Sequence, residues 1–122
     1  MTKTITLFGI PNCDTVKKAR TWLETQAIPF QFHNFKKDGL AQAQVETWLS
    51  QIEFEVLINR KGTSWRALSE EQKDLAKDRV GAIQLMLAQP SLIKRPVLQI
   101  DDGGVKHVGV GFKPEIYQSI FE

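Results

Sequence analysis

The chain contains a single cysteine, Cys13, and it stands where a thiol can act as a nucleophile. A short apolar run, Thr4-Ile5-Thr6-Leu7-Phe8, is broken by Gly9-Ile10-Pro11-Asn12, and a helical pattern starts at Cys13. A sulfur at a helix start meets unpaired backbone N–H groups and the positive end of the helix dipole. Both favour thiolate over thiol, so a pKa below about 8.5 is expected, with reactivity at neutral pH. Lys17 and Lys18, one turn on, add positive charge, and Thr15 could donate a hydroxyl hydrogen bond to the sulfur. Asp14 opposes this if it faces the sulfur, although at a first helical turn it serves the dipole. The competing reading of a lone cysteine is a small, inert, buried apolar residue.

Other polar groups could complete an anion site. Lys94-Arg95-Pro96 precedes a strand, and Asn59-Arg60-Lys61 lies in a turn-rich stretch. A guanidinium binds carboxylates and oxyanions through two parallel hydrogen bonds. On their own these segments also read as solvated surface charge. His33 and His107 have no ligating neighbours at metal-binding spacing, so no metal site is expected. Gly109-Val110-Gly111 alone is too weak a signal for a phosphate loop.

The elements that position these residues emerge from periodicity. Residues 4–8 read as a buried strand. A helix from Cys13 to about Gln26 puts Val16, Ala19, Leu23 and Ala27 on one face, with Trp22 beside them. Phe30 to Phe35 alternates as a second strand, parallel to the first by the length of the crossover. Lys36-Lys37-Asp38-Gly39 is a polar turn. Leu40 to Ser50 is helical, with Val45, Trp48 and Leu49 inward. Glu53 to Leu57 fits helix or strand, and residues 59–64 read as a loop. Two more helices run from Ser69 to about Lys77 and from Arg79 to Ala88, and Pro90 ends the second. Val97 to Ile100 and Val105 to Val110 flank the hairpin signal Asp101-Asp102-Gly103-Gly104. Lys113-Pro114 to Phe121 forms a last helix, with Ile116, Ile120 and Phe121 inward.

The order β-α-β, helices, β-β-α predicts an α/β fold with a four-stranded mixed sheet. One domain over 1–122 is expected, with a core of about 1–39 and 91–122 and a helical insertion of about 40–90. The 122 residues support a core without disulfides or metal, and one cysteine allows no internal disulfide. An apolar fraction of 42% and a charged fraction of 25% describe an ordinary globular protein. A net charge of +2 does not point to DNA. No apolar run reaches the length of a membrane span, and residues 1–9 lack a secretory signal pattern. A cytoplasmic, reducing setting is therefore expected; a monomer is also expected, although no residue pattern fixes the oligomeric state.

Taken together, four segments resemble the arsenate reductase (ArsC) family, and more closely its YffB-like branch. They are Gly9-Ile10-Pro11-Asn12-Cys13-Asp14-Thr15-Val16-Lys17-Lys18-Ala19; Leu57-Ile58-Asn59-Arg60-Lys61-Gly62-Thr63 with Trp65; Ile93-Lys94-Arg95-Pro96-Val97-Leu98; and Val108-Gly109-Val110-Gly111-Phe112. The resemblance implies a thioredoxin-like core and a cis Pro96 facing the reactive cysteine. It implies that Cys13 is the nucleophile and that Arg60 and Arg95 match two oxyanion-holding arginines. A third family arginine falls where this chain has Phe112, which argues against arsenate as the substrate.

The expected activity is a glutathione-dependent thiol reductase using Cys13. Asn12, Thr15, Lys17, Arg60, Lys94, Arg95 and Pro96 make up the substrate- and glutathione-binding set. No bound cofactor is expected, and glutathione is the co-substrate. The alternatives are arsenate reduction and a non-catalytic regulator of Spx type that binds RNA polymerase. Spx-type members commonly carry a Cys-x-x-Cys switch; Val16 occupies the second position here, so that switch cannot form.

Overall fold

The computed structural model describes residues 3–122, with the side chains of Val105 and Lys106 left aside. The chain forms two compact units, one of residues 3–38 with 95–122 and one of residues 39–94.

The first unit is built on a four-stranded mixed sheet. Strands β1 (Thr4–Gly9), β2 (Gln31–Asn34), β3 (Val97–Asp101) and β4 (Val105–Val110) lie in the order β2-β1-β3-β4. β1 and β2 are parallel, while β1–β3 and β3–β4 are antiparallel. Helix α1 (Asp14–Thr25) makes the crossover, and a terminal helix, α8 (Pro114–Phe121), comes after β4. This is the four-stranded mixed sheet that the element order predicts and the thioredoxin-like core that the resemblance implies. Ile5 and Leu7 of β1 pair with Ile100 and Leu98 of β3, so period-2 alternation brings all four to one face. Ala19 and Leu23 of α1 and Tyr117 of α8 close that face into a dry core. Burying a large apolar side chain contributes about 1.5–3 kcal/mol, so this layer fixes α1 to the sheet.

Three local expectations change. Helix α1 ends before Ala27, which adopts a left-handed conformation with φ 56° and is exposed. The Ala27 and Ile28 N–H groups donate to the Glu24 and Leu23 carbonyls, which closes the helix before Ala27 can join its buried face. Residues 35–38 form a helical turn, α2 (Phe35–Asp38), in place of a polar turn. Asn34 Oδ1 accepts from the Lys36 and Lys37 N–H groups, so β2 stops at an asparagine that caps the next turn. In α8 the buried residue is Tyr117, with Ile120 and Phe121 partly buried, while Ile116 is 52% exposed. The inward stripe is therefore 117, 120 and 121, with Tyr117 in the place expected for Ile116.

The second unit is helical. It contains α3 (Gln42–Leu49), α4 (Phe54–Leu57), α5 (Thr63–Arg66), α6 (Glu70–Leu75), α7 (Arg79–Ala88) and a 3-10 turn, Pro90–Leu92. The ambiguous stretch after Glu53 is thus a helical turn, and the loop at 59–64 gives way to α5 at Thr63. Val45, Trp48, Leu57, Ala82, Met86 and Leu92 are fully buried. Ser69 caps α6 through the Gln72 N–H, and the Gln72 side chain accepts the Ser69 N–H in return. Gly81 is required by close approach: a Cβ there would collide with the Leu75 carbonyl oxygen. Among the described residues, no helix is long and apolar enough to cross a membrane.

Candidate active site

The sulfur sits where the first unit turns from strand to helix. β1 ends at Gly9, where a Cβ would fall 2.8 Å from Val16 Cγ2. The missing side chain lets the first turn of α1 close onto the strand end, with Val16 fully buried beneath it. Cys13 is the cap of α1, in extended conformation, and its carbonyl accepts the Lys17 N–H at 2.9 Å. Its side chain closes no capping hydrogen bond. The N–H groups of Val16 and Thr15 nevertheless act on the sulfur and stabilise its anion.

Arg95 reaches the same sulfur from the loop before β3. Val97 of β3 pairs with Phe8 of β1, so the entry to β3 lies beside the exit of β1. The Arg95–Pro96 peptide bond is cis and Pro96 is buried. The Pro96 carbonyl accepts the Gly111 N–H at 2.9 Å, and Gly111 has φ 78°, a conformation that favours glycine. This bond anchors the Arg95 loop to the end of β4. The Cys13 thiol is partly exposed. Burial pushes its pKa up, and the Val16 N–H, the Arg95 side chain, the Thr15 N–H and the Arg95 charge together outweigh burial, so the pKa lies below the ordinary thiol value. The result is a half-exposed sulfur biased toward thiolate beside one guanidinium. That combination suits nucleophilic attack on another sulfur or on an electrophilic oxyanion.

The candidate residues divide by place. Asn12, Cys13, Thr15, Arg95 and Pro96 gather at this strand-to-helix corner. Asn12 is exposed in the turn before the cap. Thr15 acts through its backbone N–H in place of the expected hydroxyl, and the cation acting on the sulfur is Arg95 in place of the expected Lys17 and Lys18. Lys17 and Lys18 instead line an apolar cleft with Trp22 and Phe112. Arg60 and Lys94 belong to the second unit. There the Arg60 guanidinium lies 5.1 Å from the Trp65 ring centre and Nη2 donates to the Ala76 carbonyl at 3.5 Å. Lys94 is exposed, and its N–H donates to the Leu57 carbonyl at 2.8 Å.

Phe112 is an aromatic packing residue. Its ring meets Tyr117 edge-on at 4.7 Å, and Tyr117 in turn meets Trp22 at 5.6 Å. Sequence reasoning missed Tyr117 and the Gly111–Pro96 bond. The spacing Tyr117, Ile120, Phe121 carried the signal for the first, since i, i+3, i+4 is a helix face. The second joins residues far apart in the chain across a hairpin, and no local pattern announces it.

A model of the ArsC family matches residues 8–120 of the chain. Two solved structures are similar throughout. A YFFB protein is 43% identical, with a TM-score of 0.83, over 95% of this chain and 97% of its own. An arsenate reductase (ArsC) related protein from Brucella melitensis is 44% identical, with a TM-score of 0.72, over 98% of this chain and 95% of its own. A more distant relative, the global transcriptional regulator Spx 2 of Lactococcus lactis, is 27% identical over 91% of this chain and 81% of its own.

Proposed function

Because the chain belongs to the ArsC family, we propose that it is a glutathione-dependent thiol reductase with Cys13 as its nucleophile. The observation that carries this reading is the half-exposed Cys13 sulfur, whose pKa is lowered by two backbone N–H groups and Arg95. In a mixed disulfide between a substrate thiol and glutathione, the Cys13 thiolate attacks the glutathione sulfur. A Cys13–glutathione disulfide forms, and the substrate leaves as a thiolate that takes a proton from water. The thiolate of a second glutathione then attacks that disulfide. Glutathione disulfide leaves and the Cys13 thiolate returns. The mixed disulfide is thereby reduced to the substrate thiol, at the expense of one glutathione thiol from solution. One cysteine is sufficient because the resolving thiol comes from solution.

Arg95 would pair with a glutathione carboxylate, and the exposed Asn12 side chain offers a further polar contact at the mouth of the site. The aromatic packing of Phe112 weighs against arsenate, a multiply charged oxyanion that needs more than one cation. The test is reduction of a glutathione mixed disulfide, with glutathione disulfide production as the readout. Turnover lost in Cys13→Ser and inhibited by iodoacetamide supports the reading. Full turnover in Cys13→Ser refutes it.

The likeness to Spx over most of the chain favours one other reading, a non-catalytic regulator that binds RNA polymerase. Capture of polymerase subunits by the protein, unchanged when Cys13 is alkylated, would select that reading.

A further inference from the structure

The face of α1 that starts one turn after the sulfur is incomplete. Lys17, Lys18, Thr21, Trp22 and Thr25 fall at i, i+1, i+4, i+5 and i+8, which is a single side of a helix. With Phe112 from the β4–α8 connection and Pro114 at the start of α8 they line a cleft of about 460 Å³. That volume lies within the range of small-molecule sites, roughly 300–1,000 Å³. Its floor is aromatic and held in place. Trp22 packs on Tyr117 at 5.6 Å and on Phe121 at 5.9 Å, and Phe112 packs on Tyr117 at 4.7 Å. These rings do not need to be ordered by a ligand, which lowers the cost of binding.

The charge at the cleft has one sign. Lys17 and Lys18 are exposed, and neither forms an ion pair among the described residues. The acids nearest in sequence, Asp14, Glu24 and Glu115, do not line the cleft. An apolar floor beside two ammonium groups is complementary to a molecule with an apolar ring and an anionic end. Glutathione, polar along its length, does not match that floor.

We infer that this cleft is a second binding site, separate from the sulfur, for a small aryl-alkyl carboxylate. The ring lies against Trp22 and Phe112, and the carboxylate lies between Lys17 and Lys18. The site uses no thiol chemistry, so it stands or falls independently of the reductase reading.

The experiment is an amide NMR titration of the full chain with 4-phenylbutyrate and, separately, with the uncharged 4-phenylbutyramide. Saturable shifts are expected at residues 17–25, at 111–115 and at the Trp22 indole N–H. The acid is expected to bind roughly fivefold more tightly than the amide, as two solvent-exposed charge contacts allow, with the preference shrinking as salt is added. The Lys17→Glu/Lys18→Glu variant keeps the amide and loses the preference for the acid. Cys13→Ser binds both ligands as the parent does, which separates this result from any failure of the thiol assay. No saturable shift at millimolar ligand, equal binding of acid and amide, or shifts centred elsewhere would each overturn the inference.

Discussion

Two of the first unit's strand-to-helix junctions, β1 to α1 and β4 to α8, have similar backbones. β1 leads through Gly9 and Pro11 to the extended cap Cys13, and β4 leads through Gly111 to the extended cap Lys113 and then Pro114. Neither cap residue closes a side-chain hydrogen bond onto its helix, and each helix has one acid, Asp14 or Glu115, in its first turn. The side chains divide them. At the first junction a sulfur faces two N–H groups and a guanidinium. At the second, Phe112 folds onto a buried tyrosine whose hydroxyl has no hydrogen-bond partner among the described residues. Similar turns thus give one corner with a sulfur biased toward thiolate and one with an aromatic cluster, and residue type decides between them. A guanidinium is useful beside the sulfur, while position 112 faces an aromatic cluster.

The strongest way to break this comparison is at Phe112. Phe112→Ala removes the edge-on contact with Tyr117 and opens the aromatic cluster. The expected loss is about 2 kcal/mol in urea unfolding, less than for a fully buried ring because Phe112 is half-buried. The rate of Cys13 alkylation by iodoacetamide in the folded protein should stay within about twofold of the parent, since the sulfur's partners are untouched. A large change in that rate would mean the two corners act as one.

The converse experiment is Arg95→Gln. It removes the charge and weakens the hydrogen bond that favour the thiolate, while the Val16 and Thr15 N–H groups remain. The pH midpoint of alkylation should move up toward the ordinary thiol value, with a several-fold lower rate at pH 7. Stability is linked to the same titration. A depressed folded-state pKa stabilises the fold above the unfolded thiol value, about 8.5, and this contribution is lost as pH falls through the folded value. Arg95→Gln should flatten that rise of stability with pH. An unchanged midpoint would show that the helix N–H groups alone set the thiolate.

Much of this architecture is legible in the residues. The strand before Gly9, the helix after Cys13 and the hairpin at Asp101–Gly104 carry strong local signals, and the chain order then restricts the sheet to few topologies. Cys13 is legible as a site for the same reason, because its neighbours define a helix start. Long-range contact is not legible in this way. Arg95 is placed near the sulfur by the resemblance and not by any local pattern, and nothing in Gly111 says which carbonyl it will meet. Lys17 and Lys18 look like partners of the sulfur because they are near it in sequence. Their positions on α1 place them on the Trp22 cleft, and the cation that acts on the sulfur arrives from the loop before β3. The swap of Ile116 for Tyr117 has a plainer cause. A short helix begun by proline permits more than one inward stripe, and the aromatic partners Trp22 and Phe112 select the one with tyrosine.

The finest test concerns what the sulfur costs the fold. A cap residue with a hydroxyl would accept the Val16 N–H in a full hydrogen bond, whereas a thiol is a weak acceptor and the Cys13 side chain closes no capping bond. Cys13→Ser should therefore abolish thiol chemistry and at the same time leave the folded protein more stable, by about 0.5–1 kcal/mol, when measured on the acid side of the thiol titration. At higher pH the gain should shrink, because the parent then draws stability from its thiolate and serine does not. Equal stability of the two proteins at every pH would mean the cap contributes nothing at this junction. A less stable serine variant would mean that sulfur packing, more than capping, holds the corner together.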